Sequence, residues 1–273
     1  MESKSTQTAS HAFIQSVQEA LDSHLHAVGN FLDLSKAYDV INHNRLLEKL
    51  DSYGIRGSVN RWCQSYLTNR TQFIAISQMD RSKHTQLKFQ SSSRTVKHGV
   101  PQGSILGPLL FLIYINDLSL NVQGAKLILY ADDMNVLVVD RNEEALQTKL
   151  FLVMKQLEMW FLKTDLIINT TETVAMSFQL CCSKPPFKPR ILLRNKQINY
   201  MPEEKFLGMC ITENLSWQAH ICSLCHTLSK TFFIIKSVKN TLSSRVLWNI
   251  YFAYFHSRLW YGITLWGGGQ KKA

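Results

Sequence analysis

Three aspartates of this 273-residue chain stand where apolar runs end. Asp33 closes Ala27-Val28-Gly29-Asn30-Phe31-Leu32, a short run that suits a buried strand. Asp132 and Asp133 sit between Leu127-Ile128-Leu129-Tyr130-Ala131 and Met134-Asn135-Val136-Leu137-Val138-Val139, which predicts a hairpin with both carboxylates at its tip. Carboxylate oxygens suit Mg²⁺, which prefers octahedral oxygen ligands and also binds substrate phosphates. Two such ions about 3.5–4 Å apart can activate a hydroxyl and stabilise a leaving pyrophosphate. That chemistry needs carboxylates from separate strands to meet at one edge of a sheet. An Asp-Asp pair at a hairpin tip is also an ordinary solvated turn, so the pair alone does not choose between the two readings. Asp39, Asp117 and Asp140 read as surface or capping acids, and His43 is not required as a base in a metal-assisted mechanism.

The elements that must position these acids alternate between α and β, with no internal repeat. Residues 8–27 read as an amphipathic helix, 27–34 as the first buried strand, and 45–67 as helical again. Residues 72–97 lean to β around Ser91-Ser92-Ser93. Residues 103–118 predict a helix with Ser104 as N-cap and Pro108 in or near the first turn. A helix over 142–163, a strand pair near 166–178, a Pro-containing loop at 181–189, a hairpin around 190–212 and aromatic-rich helices complete the pattern.

With 45% hydrophobic residues, 18% charged and only 12 Gly and 6 Pro, a disordered or collagen-like chain is excluded. No apolar stretch of 18 residues lacks a charge, and the N-terminus has no basic segment leading into an apolar run, so neither a membrane span nor a secretory signal is expected. Six cysteines in a chain of this length point to reduced thiols in a cytoplasmic or nuclear setting. The net charge of +10 lies wholly in residues 181–273, which carry 13 Lys or Arg against Glu203, Glu204 and Glu213. A basic final third beside a neutral body suits a polyanionic partner, or simply a lysine-rich surface.

Taken together, the blocks resemble the reverse transcriptase of non-LTR (LINE-like, Jockey-type) retrotransposons. The resemblance is carried by Phe31-Leu32-Asp33-Leu34-Ser35-Lys36-Ala37-Tyr38-Asp39, Tyr53-Gly54-Ile55-Arg56-Gly57 and Ser65-Tyr66-Leu67-Thr68-Asn69-Arg70. It continues through Gly99-Val100-Pro101-Gln102-Gly103-Ser104-Ile105-Leu106-Gly107-Pro108, Tyr114-Ile115-Asn116-Asp117-Leu118, Tyr130-Ala131-Asp132-Asp133 and Lys205-Phe206-Leu207-Gly208. The resemblance implies an α+β right-hand polymerase with a ferredoxin-like palm, partial fingers and a partial helical thumb. Residues 1–180 would be partial fingers plus palm, and 181–273 the palm-end hairpin and basic thumb. It implies Asp33, Asp132 and Asp133 as catalytic ligands of two Mg²⁺ ions, with Mn²⁺ as a substitute. Tyr38 would lie beneath the incoming sugar and exclude a 2′-hydroxyl, so the implied substrate is a dNTP. Lys36 and Ala37 would offer backbone amides to the triphosphate, while Gln102 and Gly103 would contact nucleotide and template. The implied partners are an RNA template and a DNA primer, held by the thumb through salt-sensitive phosphate contacts. Oligomeric state is not implied.

Two departures accompany the resemblance. The family has more fingers upstream than this sequence, which implies a chain truncated at its N-terminus. Glu172 stands where the family has a lysine thought to protonate the pyrophosphate, and Thr164 replaces an asparagine. Losing a positioned general acid costs typically 10²–10⁴-fold. The isolated chain is therefore expected to polymerise weakly or not at all, and the alternative is a catalytically silent nucleic-acid-binding remnant. An RNA-dependent RNA polymerase is disfavoured by Tyr38 and Ala131. His220-Ile221-Cys222-Ser223-Leu224-Cys225-His226 resembles half a zinc site but reads as structural cysteines on a helix. The aromatic residues from Trp248 to Trp266, together with Trp62 and Trp160, read as core from their helical spacing.

Overall fold

The computed structural model describes residues 5–80, 85–179 and 187–268. Over these residues, helix α1 (Thr6–Asp22) leads into strand β1 (His26–Leu32), followed by α2 (His43–Ser52) and α3 (Gly57–Leu67). Short strands come next: β2 (Thr71–Gln72), β3 (Ala75–Asp80), β4 (Thr85–Gln90) and β5 (Arg94–Thr95). Then come α4 (Leu106–Ile115), α5 (Leu118–Asn121), β6 (Lys126–Tyr130), β7 (Asp133–Asp140), α6 (Glu143–Thr164) and β8 (Val174–Phe178). Beyond them lie β9 (Leu192–Leu193), β10 (Lys196–Gln197), β11 (Asn199–Tyr200), β12 (Glu203–Phe206) and β13 (Met209–Thr212). The helical end is α7 (Gln218–Val238), α8 (Ser244–Ile250), a π-helical turn (Tyr251–His256), α9 (Ser257–Trp260) and α10 (Ile263–Trp266). No helix among the described residues is long and apolar enough to cross a membrane.

The chain divides into two compact units. The first comprises residues 1–33, 124–155 and 170–273, and the second residues 34–123 and 156–169.

The first unit is built on a five-stranded sheet of order β11-β8-β1-β7-β6. β1 pairs antiparallel with both β7 and β8, and β6 with β7. Taken in chain order, β1, β6, β7 and β8 are the four strands of a βαββαβ motif, with the second unit's residues 34–123 inserted after the first strand. α1 starts cleanly because Ser5 and Thr8 form a reciprocal capping box, and it turns Phe13, Ile14, Val17 and Leu21 inward. These residues join Ala27, Phe31, Met176, Phe178 and Phe206 in one core. Gly29 lets this happen: a Cβ there would stand 3.0 Å from the rings of both Phe13 and Phe178.

The second unit holds α2 to α5, two two-stranded ribbons, β2–β5 and β3–β4, and the end of α6. Its interior is tied by Tyr114, fully buried on α4, whose hydroxyl donates to the Thr164 carbonyl at 2.5 Å. Burial pushes the Tyr114 hydroxyl up to about 12. Lys49 bonds both the Tyr114 carbonyl and Asp117, and Trp160 donates to the same carboxylate.

Several local expectations change. The helical stretch 45–67 is two helices, broken at Gly54 with φ +84°. α4 begins later than expected, at Leu106, yet Ser104 still accepts the Gly107 N–H at 3.0 Å. The strand pair near 166–178 is a single strand, β8. Residues 166–168 form no strand: Ile168 bridges Leu34, and the Ile167 carbonyl accepts the Ser35 N–H at 2.8 Å. The hairpin around 190–212 is two hairpins, β9–β10 and β12–β13, with left-handed turns at Arg194-Asn195 and Leu207-Gly208. The loop expected at 181–189 falls outside the described residues up to 186.

Candidate active site

β1 is buried along Ala27–Leu32, and Asp33 is the first acid beyond it, half-buried. The antiparallel register of β1 on β7 runs from His26 with Asp140 to Leu32 with Met134. One further step sets Asp33 level with Asp133. Opposed positions in such a ladder have Cα atoms about 4.5–5.5 Å apart and side chains on the same face. Asp133 closes the β6–β7 ladder opposite Tyr130, leaving Ala131 and Asp132 as a two-residue turn. Ala131 adopts φ +51° there, the left-handed conformation a tight turn requires. The sheet thus gathers three carboxylates from two neighbouring strands at one end.

Electrostatics at this end agree with the backbone. Desolvation raises the Asp133 carboxyl above the usual carboxylate range, and the negative charges of Asp132 and Asp33 raise it further. A divalent cation would neutralise that repulsion, and three carboxylates are the hard oxygen donors Mg²⁺ takes. The donor type suits such an ion. Among the described residues, however, no three His, Cys, Asp or Glu side chains already form a group able to hold one. Thr173 is a positioning residue the spacing argument missed. Its buried hydroxyl accepts the Asp33 N–H at 3.4 Å and anchors the backbone that carries the first carboxylate. The signal was present as a β-branched hydroxyl opening β8, the strand beside β1.

In the second unit, two loops come together. Residues 36–39 form a turn closed by the Asp39 N–H on the Lys36 carbonyl at 2.8 Å, with Lys36 exposed at φ +51° and Ala37 buried. The Tyr38 ring rests on Phe111 of α4, centroids 4.7 Å apart and planes tilted by 34°. The loop 99–104 docks on this turn: the Val100 N–H donates to the Tyr38 carbonyl, and the Gln102 side chain donates to Asp39 at 2.8 Å. The tight backbone contact in this loop is at Gly99. A Cβ on Gly99 would meet the Asp39 and Tyr38 backbone at 2.7–2.8 Å, whereas Gly103 faces open space at φ +78°. His43 has a structural task, with Nε2 2.7 Å from the Gly99 carbonyl oxygen. Asp39 and Asp117 are likewise bonded rather than merely solvated, and Asp140 caps the turn into α6 while pairing with Lys149.

The family model for reverse transcriptase (RNA-dependent DNA polymerase) matches residues 2–211. The chain belongs to the reverse transcriptase family. The RNA-directed DNA polymerase of the mobile element jockey in Drosophila melanogaster is 24% identical over 272 residues, covering 96% of this chain and 28% of that protein. A probable RNA-directed DNA polymerase from transposon BS of the same fly is 26% identical, covering 96% of this chain and 29% of that protein. Apo telomerase from Candida tropicalis, truncated from its C-terminal domain, shares the fold with a TM-score of 0.50 at 15% identity, over 78% of this chain and 40% of that one. This reverse transcriptase chain spans less than a third of the length of the curated relatives named here.

Two further groups in the reverse transcriptase chain settle differently from expectation. Cys222 and Cys225 are exposed on α7. His220 is buried between Trp217 and Trp266, its Nδ1 accepting the Cys210 N–H at 3.3 Å. The aromatic run from 248 to 266, expected as core, divides: Trp248, Phe252, Tyr254 and Trp260 are each more than half exposed, while Tyr251, Phe255, Tyr261 and Trp266 are half-buried. Tyr261 donates to the Leu207 carbonyl and Trp266 lies against His220, so the end of the run packs while the rings of Trp248, Phe252, Tyr254 and Trp260 stay open. Trp62 is also exposed, whereas Trp160 is buried as expected.

Proposed function

We propose that this chain carries RNA-directed DNA polymerase chemistry, adding dNTPs to a primer 3′-hydroxyl on an RNA template. The observation that carries the reading is the β1–β7 register, which ends at Leu32 opposite Met134, one step short of Asp33 and Asp133, together with the charges of Asp132 and Asp33 felt at Asp133. In it, Asp33, Asp132 and Asp133 would hold two divalent cations, Mg²⁺ or Mn²⁺. The chemistry supplied when these are bound is activation of the hydroxyl and neutralisation of the leaving pyrophosphate.

The chain's own residues do the remaining work. Tyr38, seated on Phe111, presents a fixed ring to the sugar and excludes a 2′-hydroxyl. Lys36 and Ala37 lend backbone to the triphosphate. Gln102, held by Asp39, and Gly103 border the nucleotide and template. The Lys and Arg side chains of residues 181–273 hold duplex phosphates, as a palm-end hairpin and thumb, with residues 1–180 as partial fingers and palm.

Primer extension on an RNA template with Mg²⁺ and dNTPs tests this, read beside equilibrium binding of the same duplex. Asp132→Asn and Asp133→Asn should each lower extension by about 10³-fold, the scale of several kcal/mol of charge stabilisation, with duplex binding within about twofold of wild type. A wild type that binds duplex in a salt-dependent way yet never extends it would make the chain a silent remnant.

A further inference from the structure

Two rings of α3 and a cation just beyond its C-terminal end form a stacked row. Trp62 and Tyr66, one turn apart, lie with centroids 5.8 Å apart and planes within 15°. The Arg70 guanidinium continues the row 5.3 Å from the Tyr66 centroid. The residues α3 buries are Cys63 and Leu67, so its anchoring does not use this row. Trp62 is 54% exposed, which leaves a flat indole surface that a planar partner group can cover.

Charge says what would cover it. From Tyr53 to His98 the sequence has eight Lys or Arg against a single acid, Asp80. This second basic region is hidden in the neutral total of residues 1–180. The chain running on from α3 keeps the charge close to the rings. The Val96 N–H bonds the Arg70 carbonyl at 2.8 Å, and Arg94 pairs with Gln72, so Arg70 and Arg94 are diagonal neighbours on one face of the β2–β5 ribbon. An exposed Trp62 stacked on the half-buried Tyr66, with guanidinium groups alongside, offers what an unpaired nucleic acid strand needs: a π-face for a base and cations for its phosphates. A duplex has its bases already stacked and would leave Trp62 unused.

We propose that Trp62 and Tyr66 of α3, with Arg70 just beyond the helix, form a stacking platform for single-stranded nucleic acid. The proposal deepens the polymerase reading and rests on it for the class of ligand. Binding is therefore measured in EDTA without dNTPs, so a failure of the chemistry and a failure of the platform are read separately. The probes are labelled 20-nucleotide oligo(U) and oligo(dT) single strands and a blunt duplex, followed by fluorescence anisotropy with the full chain. Trp62→Ala should weaken single-strand binding about tenfold, within the range for loss of one stacked base, and duplex binding by less than about twofold. Trp62→Phe should restore most of the loss, which a merely disturbed helix would not do, and its circular dichroism should match wild type. Arg70→Gln should lower the salt slope for single strands by about 0.7, one phosphate contact. Single-strand binding unchanged in a folded Trp62→Ala chain would overturn the proposal and leave α3 as a protein-facing surface. Equal loss for duplex and single strand would overturn it too.

Discussion

In the first unit, two groups of aromatic rings pack at similar spacings but differ in what covers them. Phe13 lies 5.0–6.0 Å from Phe31, Phe178 and Phe206, and all four rings are under a tenth exposed. Trp248, Tyr251 and Phe252 lie 5.3–5.7 Å from one another, yet Trp248 is 59% and Phe252 52% exposed. The first group draws rings from α1, β1, β8 and β12, distant in sequence. Its contacts exist only when the sheet, α1 and the β12–β13 hairpin are all in place. The second comes from consecutive helical turns, where neighbours at three and four residues meet in any helix. Ring contact therefore reports burial only when it joins separate elements.

That difference can be broken most directly at Phe13. Phe13→Ala should cost about 3–5 kcal/mol, a large share of the 5–15 kcal/mol of a typical domain, read as the loss in urea midpoint multiplied by the transition slope. Next comes Gly29→Ala, which adds one methyl group 3.0 Å from the Phe13 and Phe178 rings. It should destabilise by about 1–3 kcal/mol, and a neutral result would mean that the cluster is looser than the ring distances imply.

His220 sharpens the comparison through pH. It stands where α7 meets the β12–β13 hairpin, and burial lowers its pKa below the ordinary value of about 6.5. The unfolded chain therefore gains a proton that the folded one resists. The stabilisation is complete above pH 6.5 and is lost as pH falls through the depressed folded value, by at most about 1.4 kcal/mol per pH unit. Urea midpoints at pH 7.5 and 5.0 should converge more in His220→Gln than in wild type. Equal pH responses would show that His220 does not hold the helical end to the hairpin. Smallest of all, Trp248→Ala should change stability by under about 0.5 kcal/mol. A cost approaching that of Phe13→Ala would put the outer rings in a core and cancel the distinction.

The sheet and its carboxylates were legible in sequence because each signal was local. Apolar runs ended at acids, and the two-residue tip at Ala131-Asp132 sat between β-rich segments, which fixes a hairpin register. Cross-strand facts were less visible. Nothing in the spacing says that Thr173 would hold the Asp33 backbone, because β8 joins β1 from about 140 residues away. Nor could the Gly99-to-Gly103 loop reveal which glycine touches backbone, since that depends on the turn at 36–39. Trp62, Trp248, Phe252, Tyr254 and Trp260 depart from the core expectation for one reason: a helical period shows which side chains share a face, but not whether another element lies over it.

The strands that bring Asp33 to Asp133 are neighbours in the sheet but about a hundred residues apart along the chain, with residues 34–123 looped out between β1 and β6. The entropy of closing such a loop grows only as the logarithm of its length, about 0.6 kcal/mol for each doubling. Lengthening the exposed turns of that excursion therefore costs only tenths of a kcal/mol in closure entropy at the sheet, whereas shifting β1 by a single residue against β7 would turn Asp33 to the opposite side.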